Sequence, residues 1–474
     1  MSTPDPRPRA VVVGGGIGGL VAAYLLGETH DVLLLEGSAQ VGGKLRLGEV
    51  AGLTVDVGAE AVLNRRPEGV ALARELGLDV VHPASTATAV WSRGELRPMP
   101  RTLMGVPLDV DALEASGLVS EAGLAAVRAE PGLDLAPLTG DVSVGDLVAA
   151  RLGDEVVDLL VEPLLGGVYA GHARLLSVRA TVPQLAAMAE RGSLVAGAAA
   201  LPTSDVPVFA SLAGGMGRLP GVLAASGRFE VRTGATVRGL RRTAAGFELV
   251  VGPTPSEELL TADAVVLATP AAPTSRLLTD VAPLASAELA GIEHASSAVV
   301  TFAVRAADAP DLAATPLSGF LVPPVEGRRI KASTFSFSKW AWVRELGRSG
   351  GDDVLVFRTS LGRHREEASL QASDEELVAW SLADLADAVG LTATPLDTHV
   401  QRWGGGLPQY AVGHLDLVER VRHEVGTVPG LAVCGAAYDG VGIPAVIASA
   451  RRAVERVSAG RSGAQLPPRP SSNS

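Results

Sequence analysis

The sequence predicts an α/β protein that combines a doubly wound parallel sheet with a second, mainly antiparallel sheet and a helical insertion. Three observations lead to this fold class. A strand, a glycine-rich turn, a helix and another strand open the chain over 10–35. A buried strand and a helix close it over 430–457. Between them, Ala- and Leu-rich helical spacing over 112–201 gives way to short strands over 229–360.

The opening elements are the most specific part of this pattern. We expect strands at Ala10–Val13 and Asp31–Leu35 and a helix at Leu20–Leu26. The uncharged run 10–27 could instead be a signal peptide or a membrane helix, but the five glycines within 14–19 would break such a helix.

The turn between the first strand and the first helix has the spacing of a dinucleotide-binding motif. It reads Gly14-Gly15-Gly16-Ile17-Gly18-Gly19. Gly14 allows the tight turn, Gly16 lets a pyrophosphate approach the backbone, and Gly19 permits close packing of helix on strand. Glu36 follows about twenty residues later, where a carboxylate can hold ribose hydroxyls. Together these features predict a dinucleotide site rather than a structural turn.

Two further glycine-rich segments extend this site. Val41-Gly42-Gly43-Lys44 can bring a second loop to the cofactor, with Lys44 offsetting phosphate charge. This segment resembles the FAD-binding glycine doublet of the flavin amine oxidase superfamily, which NAD-dependent dehydrogenases do not need. Near the other end, residues 435–444 link a buried strand to a helix beginning about Pro444, so backbone N–H groups can face a negatively charged flavin. The alternatives are a surface turn and an ordinary strand-to-helix connection.

The sequence pattern in the central part of the chain predicts the second sheet and the helical insertion. We expect strands at 298–304, 319–322, 331–337 and 354–360, and a helix start at Ser143-Val144-Gly145-Asp146. Trp340 and Trp342 alternate as residues of a strand do.

Composition excludes several classes of function. The 474 residues are 47% hydrophobic and 19% charged, which excludes disorder over most of the chain. A formal net charge of -12 argues against nonspecific binding of nucleic acid or anionic lipid. A single cysteine excludes a disulfide framework, and the histidines lack metal-binding spacing. We therefore expect a cytoplasmic protein with no metal, no nucleic-acid partner and no integral membrane segment.

Several reactive residue types are given structural roles. Cys434 lies in an apolar run and is expected in the core rather than attached to flavin. His414 is also expected to be structural. His364, between Arg363 and Arg365, and the run 328–331 could meet anionic groups, but solvated sheet edges or loops are the preferred interpretation.

Ten segments along nearly the whole chain carry a family resemblance: VVVGGGIGGLVAAYLL, VGGKL, VDVGAEAVLNRRPE, LRPMPRTLMGVP, EPLLGGVYAG, GGMGRLP, VLATP, GFLVP, RWGGGLPQYAVGH and GVGIPAVIASA. They resemble the bacterial FAD-dependent coproporphyrinogen III and protoporphyrinogen oxidases of the flavin amine oxidase superfamily. The resemblance implies a discontinuous FAD-binding domain (1–80, 210–272 and 425–460), a substrate-binding domain (81–110 and 273–424), a helical insertion (111–209) and a disordered tail (461–474).

The resemblance also implies the site residues. Those for non-covalent FAD are Gly14, Gly15, Gly16, Ile17, Gly18, Gly19, Glu36, Gly37, Gly42, Gly43, Lys44, Gly58, Ala59, Glu60, Ala61, Val237, Trp403, Val441, Gly442 and Ile443. Those for substrate are Leu165, Gly166, Gly167, Tyr169, Gly319, Phe320 and Leu321. Animal and plant members carry an arginine where this chain has Glu60 or its neighbours, which leaves open which cation meets the substrate propionates.

The implied reaction is oxidation of coproporphyrinogen III to coproporphyrin III in haem biosynthesis. Three hydride transfers to flavin N5 would be followed by reoxidation with molecular oxygen and release of hydrogen peroxide, with no catalytic side chain assigned. Transient contact with the next haem-pathway enzyme is a further expectation. The alternatives are a protoporphyrinogen IX oxidase, a flavin amine oxidase or desaturase, and a noncatalytic carrier on the same fold.

Overall fold

The computed structural model describes residues 7–134, 136–202 and 204–462. The helices are α1 Ile17–Leu26, α2 Pro67–Glu75, α3 Val110–Ser116, α4 Glu121–Ala129, α5 Val144–Leu152, α6 Asp154–Val156, α7 Glu162–Tyr169, α8 Val178–Thr181, α9 Pro183–Arg191, α10 Leu194–Ala199, α11 Arg218–Ala224, α12 Ala271–Leu278, α13 Pro283–Ala290, α14 Pro310–Ala313, α15 Ser336–Lys339, α16 Ala341–Arg348, α17 Asp374–Val389, α18 His414–Gly426 and α19 Ile443–Ser462.

The strands are β1 Arg9–Val13, β2 Asp31–Leu35, β3 Leu47–Val50, β4 Leu53–Asp56, β5 Val62–Leu63, β6 Val80–Val81, β7 Thr88–Ser92, β8 Glu95–Pro98, β9 Thr102–Leu103, β10 Val106–Pro107, β11 Phe209–Leu212, β12 Glu230–Arg232, β13 Val237–Thr243, β14 Gly246–Val251, β15 Glu258–Ala262, β16 Ala264–Leu267, β17 His294–Arg305, β18 Gly319–Leu321, β19 Ile330–Thr334, β20 Val354–Leu361, β21 Asp397–Pro408 and β22 Leu431–Val433.

The first compact unit comprises the described parts of 1–43, 219–292 and 416–474 and is built on a five-stranded parallel sheet. The strand order is β12-β2-β1-β16-β22, with Val11 opposite Leu33 on one side and Val265 on the other. These side chains share a core with Phe247 of the antiparallel sheet β13–β14–β15. Because successive strand residues face opposite sides, the other face is left to α1 and α19, which pack together. The predicted parallel-sheet part of the fold is confirmed.

The second compact unit comprises the described parts of 44–218 and 293–415 and contains a seven-stranded sheet in the order β21-β17-β20-β19-β18-β7-β8. Only the β18–β7 pair of this sheet is parallel, so the predicted second, mainly antiparallel sheet is confirmed. Phe302 and Phe357, on neighbouring strands, stack in its core with ring centroids 5.3 Å apart.

Helices α3 to α10 confirm the predicted helical stretch of the second unit. Ser143 caps α5 as expected, since its hydroxyl accepts a hydrogen bond from the Asp146 N–H at 2.9 Å. A π turn at Val157–Val161 joins α6 to α7. A π turn is wider than an α-helical turn, and Pro163 explains why it forms here. Proline has no N–H, and in a regular α-helix its ring would clash with the carbonyl four residues earlier.

The interpretation of 331–337 and Trp340–Trp342 as strand is wrong in part. Strand β19 ends at Thr334, and the chain continues into α15 and α16. Trp340 and Val343 are buried at helical spacing, whereas Trp342 is only partly buried. The alternation of the two tryptophans was therefore coincidental.

The structure divides into two compact units, and the predicted division into three domains stays a prediction. Of the predicted disordered tail, 463–474 lies outside the described residues, and 461 and 462 belong to α19. Among the described residues, no helix combines the length and apolar character needed to cross a membrane.

Candidate active site

The glycine turn after β1 is shaped by close backbone contacts. Gly14 has φ +108° and donates its N–H to the Leu35 carbonyl at 2.8 Å. A Cβ on Gly19 would lie 1.8 Å from the Gly14 carbonyl oxygen, so no side chain fits there. A Cβ on Gly16, the residue before α1, would meet no atom of the described residues within 4 Å. The turn is therefore closed at Gly14 and Gly19 and open at Gly16, where the helix N-terminus can receive an anion.

Glu36 is tied to this turn. Its carboxylate accepts hydrogen bonds from the Gly15 N–H at 2.6 Å and the Ser38 N–H at 2.7 Å. A carboxylate has about four acceptor positions, so two remain for ligand hydroxyls. Gly37 lies against Thr236, next to Val237, because a Cβ on Gly37 would be 3.2 Å from the Thr236 hydroxyl.

The glycine doublet lies directly against the first turn. Gly42 donates its N–H to the Gly15 carbonyl at 2.7 Å, and a Cβ on Gly43 would be 3.3 Å from the Gly16 Cα. Both doublet residues have positive φ, at +114° and +55°. The structure thus brings two predicted glycine segments together in the first unit.

The closing segment belongs to the same unit. Gly435 follows β22 with φ +128° and donates its N–H to the Ser449 hydroxyl at 3.2 Å. Residues 441–443 lead into α19, whose Val446 would be 3.1 Å from a Cβ on Gly18 in α1. The N-terminal turns of α1 and α19 therefore pack on each other.

Within the second unit, Lys44, Gly58 and Trp403 lie together. The Lys44 ammonium donates to the Gly406 carbonyl at 2.7 Å, and burial lowers the pKa of Lys44. A Cβ on Gly58 would be 2.1 Å from the Lys44 carbonyl oxygen and 3.3 Å from the Trp403 ring. Only glycine fits at 58, so this position is fixed by packing whatever it binds.

Glu60 is the buried member of a cluster of charges whose two cations are half-buried. Its carboxylate lies 3.1 Å from the Lys339 Nζ and 3.4 Å from the Arg358 Nε, and it accepts a hydrogen bond from the Ser336 hydroxyl at 2.9 Å. Burial opposes ionisation of Glu60, but the two cations outweigh it and lower the pKa to about 2. Glu60 is therefore ionised and engaged with protein groups. Its neighbours Ala59 and Ala61 are half-buried.

The predicted substrate segments are neighbours in the second unit. Helix α7 packs against β18 and β19. Leu165, Gly166 and Tyr169 are buried, as is Phe320, whereas Gly167 is exposed. Gly319 has φ +149°, and a Cβ there would lie 2.2 Å from the Ser333 carbonyl oxygen. The backbone at Gly319 is thus fixed by a contact that a larger residue would break, whereas a Cβ on Gly166 would be no closer than 3.9 Å to the Gly171 carbonyl oxygen.

The expected solvation of 363–364 and of Lys331 is wrong. Lys331 and Arg363 are each 5% exposed, and His364 is 3% exposed. His364 donates its backbone N–H to the Ala170 carbonyl at 2.6 Å, and burial lowers the pKa of its imidazole. Lys331 lies within β19 and residues 363–364 follow β20, and both are inner strands of the large sheet rather than its edges.

Sequence reasoning also missed the partners of Glu60. Lys339 and Arg358 are far from Glu60 in the chain, and only the fold joins them. A usable signal existed in Arg358 and Lys331, since each is the one charged residue of a strand that contains no other charge. Cys434 is fully buried, as predicted, and its burial raises the pKa of the thiol to about 12.

Comparison with known proteins identifies the family. A family model described as flavin containing amine oxidoreductase matches residues 17–458. The chain belongs to this family. It is therefore an oxidoreductase with a flavin cofactor. The open side of Gly16 and the two remaining acceptor positions of Glu36 suit the pyrophosphate and ribose of a flavin dinucleotide.

The similarity to individual relatives covers nearly the whole chain. The coproporphyrinogen III oxidase of Mycobacterium tuberculosis is 40% identical over 468 residues, covering 95% of this chain and 97% of that protein. The coproporphyrinogen III oxidase of Bacillus subtilis is 27% identical and covers 95% and 98%. The crystal structure of a proposed protoporphyrinogen oxidase from Exiguobacterium sp. 255-15 has a TM-score of 0.84 at 30% identity, covering 97% and 100%.

Proposed function

We propose that the protein oxidises coproporphyrinogen III to coproporphyrin III, with FAD as a non-covalent cofactor and molecular oxygen as electron acceptor. The observation that carries this proposal is the 40% identity to the Mycobacterium tuberculosis enzyme over 95% of the chain. The substrate loses six electrons and six hydrogens in three rounds. Three molecules of oxygen take them up as three molecules of hydrogen peroxide.

In this proposal the first unit holds the cofactor through its backbone. The N-terminus of α1 would bind the pyrophosphate and the backbone N–H groups of 441–443 would lie on the flavin side, while the Glu36 side chain would bind the adenosine ribose. Bound FAD would accept two electrons from the substrate in each round and pass them to oxygen. Non-covalent binding is supported by Cys434, whose buried thiol has a pKa of about 12 and is not a reactive thiolate.

The proposed role of the second unit is to orient the substrate. Helix α7 and strand β18 supply the walls of the substrate site, and the buried side chains of Leu165, Tyr169 and Phe320 pack behind those walls and hold them in place. The product is an aromatic macrocycle, so the reaction is strongly downhill and needs no strong general base. Removing one polar side chain of the walls should therefore slow turnover only in part.

The test is aerobic turnover of the purified holoenzyme with coproporphyrinogen III and, separately, protoporphyrinogen IX, followed by porphyrin fluorescence against a blank without enzyme. We expect fast coproporphyrin formation with three peroxides per porphyrin, and FAD in the supernatant after heat denaturation. Flavin that stays with the precipitated protein would refute non-covalent binding.

The likeness to the Exiguobacterium protein favours protoporphyrinogen IX as the second candidate substrate. Preferential turnover of protoporphyrinogen IX would support that candidate. A yellow protein inactive on both porphyrinogens would direct the search to amines, and a protein that cannot take up FAD would indicate a noncatalytic carrier. A cytoplasmic location and transient transfer of product to the next haem-pathway enzyme complete the proposal.

A further inference from the structure

Three segments of the second unit converge around Lys331. Helix α7 packs on β18 and β19, and the Val322 N–H donates to the Lys331 carbonyl at 2.9 Å. The third segment is the chain after β20, because the Lys331 ammonium donates a hydrogen bond to the Gly362 carbonyl at 2.9 Å. Lys331 and Arg363 therefore lie beside both segments proposed to hold substrate.

Both cations are enclosed and lack an acidic partner. Among the described residues, no carboxylate oxygen lies within 4.0 Å of either one. Lys331 uses one of its three N–H donors, and Arg363 uses one of its five, on the Val322 carbonyl at 3.1 Å. An enclosed cation without a counterion is costly, so an incoming anion would find both charge and free donors.

The acids nearby do not balance this charge. Glu162 is buried where the π turn meets α7, and its Oε1 accepts the Ala173 N–H at 2.9 Å. Its Oε2 has no hydrogen-bond partner among the described residues. Glu366 has an exposed side chain, 4.0 Å from the His172 ring. The one enclosed carboxylate, Glu162, thus interacts with Arg363, and Lys331 has, in the described part of the chain, only the exposed Glu366 as an acidic neighbour.

We propose that Lys331 and Arg363 bind a propionate carboxylate that coproporphyrinogen III has and protoporphyrinogen IX lacks. This inference rests on the proposed function and names the residues that set its specificity. An ammonium and a guanidinium together suit a carboxylate, the guanidinium through paired N–H donors. A vinyl group at the same place would leave both cations unpaired, and sites built for a polar group reject analogues that lack it.

Titration of Lys331 agrees with this assignment. Burial and the Arg363 charge lower the pKa of Lys331 to about 7, while Glu366 opposes them. A bound carboxylate would raise that pKa again. Binding of coproporphyrin III above pH 7 should therefore take up a proton, which calorimetry in two buffers of different ionisation enthalpy can measure.

The decisive variant is Lys331→Met, with Arg329→Gln as the matched control because Arg329 is an exposed cation in the same segment. For Lys331→Met we expect KM for coproporphyrinogen III to rise about 10- to 100-fold, with kcat nearly unchanged. KM for protoporphyrinogen IX should not rise. Proton uptake on binding coproporphyrin III should disappear, and Arg329→Gln should match the wild type in every measurement.

The possible results distinguish failure of the propionate assignment from failure of the proposed oxidase function. An unchanged KM in Lys331→Met, with an active wild type, would overturn the inference alone. An equal loss on both substrates would also overturn it, because the site would then hold a group that the substrates share. A wild type inactive on both substrates would overturn the proposed function. If Lys331→Met loses its flavin, Lys331→Gln, which keeps a hydrogen-bond donor but not the charge, repeats the test.

Discussion

The glycine turns of the first unit and the buried charges of the second are built in opposite ways. The turns are made of backbone: Gly14, Gly16 and Gly19 lie within one motif, and Glu36 closes it from the adjacent strand. The Glu60 cluster is made of side chains about 300 residues apart in the chain. A short segment specifies the first kind of site, whereas only the complete fold assembles the second.

The largest effect should come from the tightest glycine. Gly19→Ala places a methyl group where the Gly14 carbonyl lies, so the turn must open. We expect protein without flavin and without oxidase activity, and a free energy of unfolding lower by about 3 kcal/mol or more. Flavin absorbance and thermal unfolding measure both effects. Gly221→Ala is the control, because its Cβ would meet no atom within 4 Å in the described part of the chain. Equal behaviour of the two variants would show that the glycine turn does not depend on close backbone contact.

Glu60→Gln tests the side-chain cluster. The change leaves the half-buried Lys339 and Arg358 without their buried counterion, and we expect a loss of about 3 kcal/mol in the free energy of unfolding. Chemical denaturation measures this loss. Wild-type stability in the variant would mean that the two cations are satisfied by other groups.

The same cluster predicts an acid-sensitive stability. The folded pKa of Glu60 is about 2, below the ordinary 4.5, so its contribution is complete above pH 4.5 and is lost as pH falls through about 2. Between these values wild-type stability should fall more steeply with acid than that of Glu60→Gln. Parallel slopes in a series of denaturation curves would contradict the assigned pairing.

Glu36→Ala should have an intermediate effect that is confined to the cofactor. The substitution removes an acceptor for the Gly15 and Ser38 N–H groups and for ligand hydroxyls, and FAD affinity should fall about 10- to 100-fold. Titration of the apoprotein with FAD measures the affinity. Glu28→Ala, a surface acid that pairs with Arg228, provides the control. Unchanged affinity would remove Glu36 from the proposed site.

The smallest effect should come from an exposed pair. Arg241 and Glu248 face each other across β13 and β14 at the surface. Arg241→Gln should change the free energy of unfolding by no more than about 0.5 kcal/mol, because solvent screens such pairs. If Arg241→Gln lowered the free energy of unfolding as much as Glu60→Gln, burial would not be what distinguishes this pair from the Glu60 cluster.

The same contrast explains which features could be predicted. The parallel sheet, the second sheet and the helical stretch were readable because hydrophobic period and glycine turns are local signals. The helical course after β19 was missed because Trp340 and Trp342 fit a strand period equally well over three residues. The enclosure of Arg363 and His364 was missed because a charged residue in a loop carries no local sign of what will cover it. For Lys331 only its place inside a predicted strand gave such a sign.

Burial of the single thiol has a consequence for the lifetime of the enzyme. Under the proposed reaction, every turnover releases an oxidant beside the polypeptide. Peroxide attacks the thiolate, and a thiol enclosed in the core with a pKa of about 12 is almost entirely protonated at neutral pH. Cys434 is therefore protected twice, by access and by protonation. The chain should withstand its own product over many cycles without forming sulfenic acid.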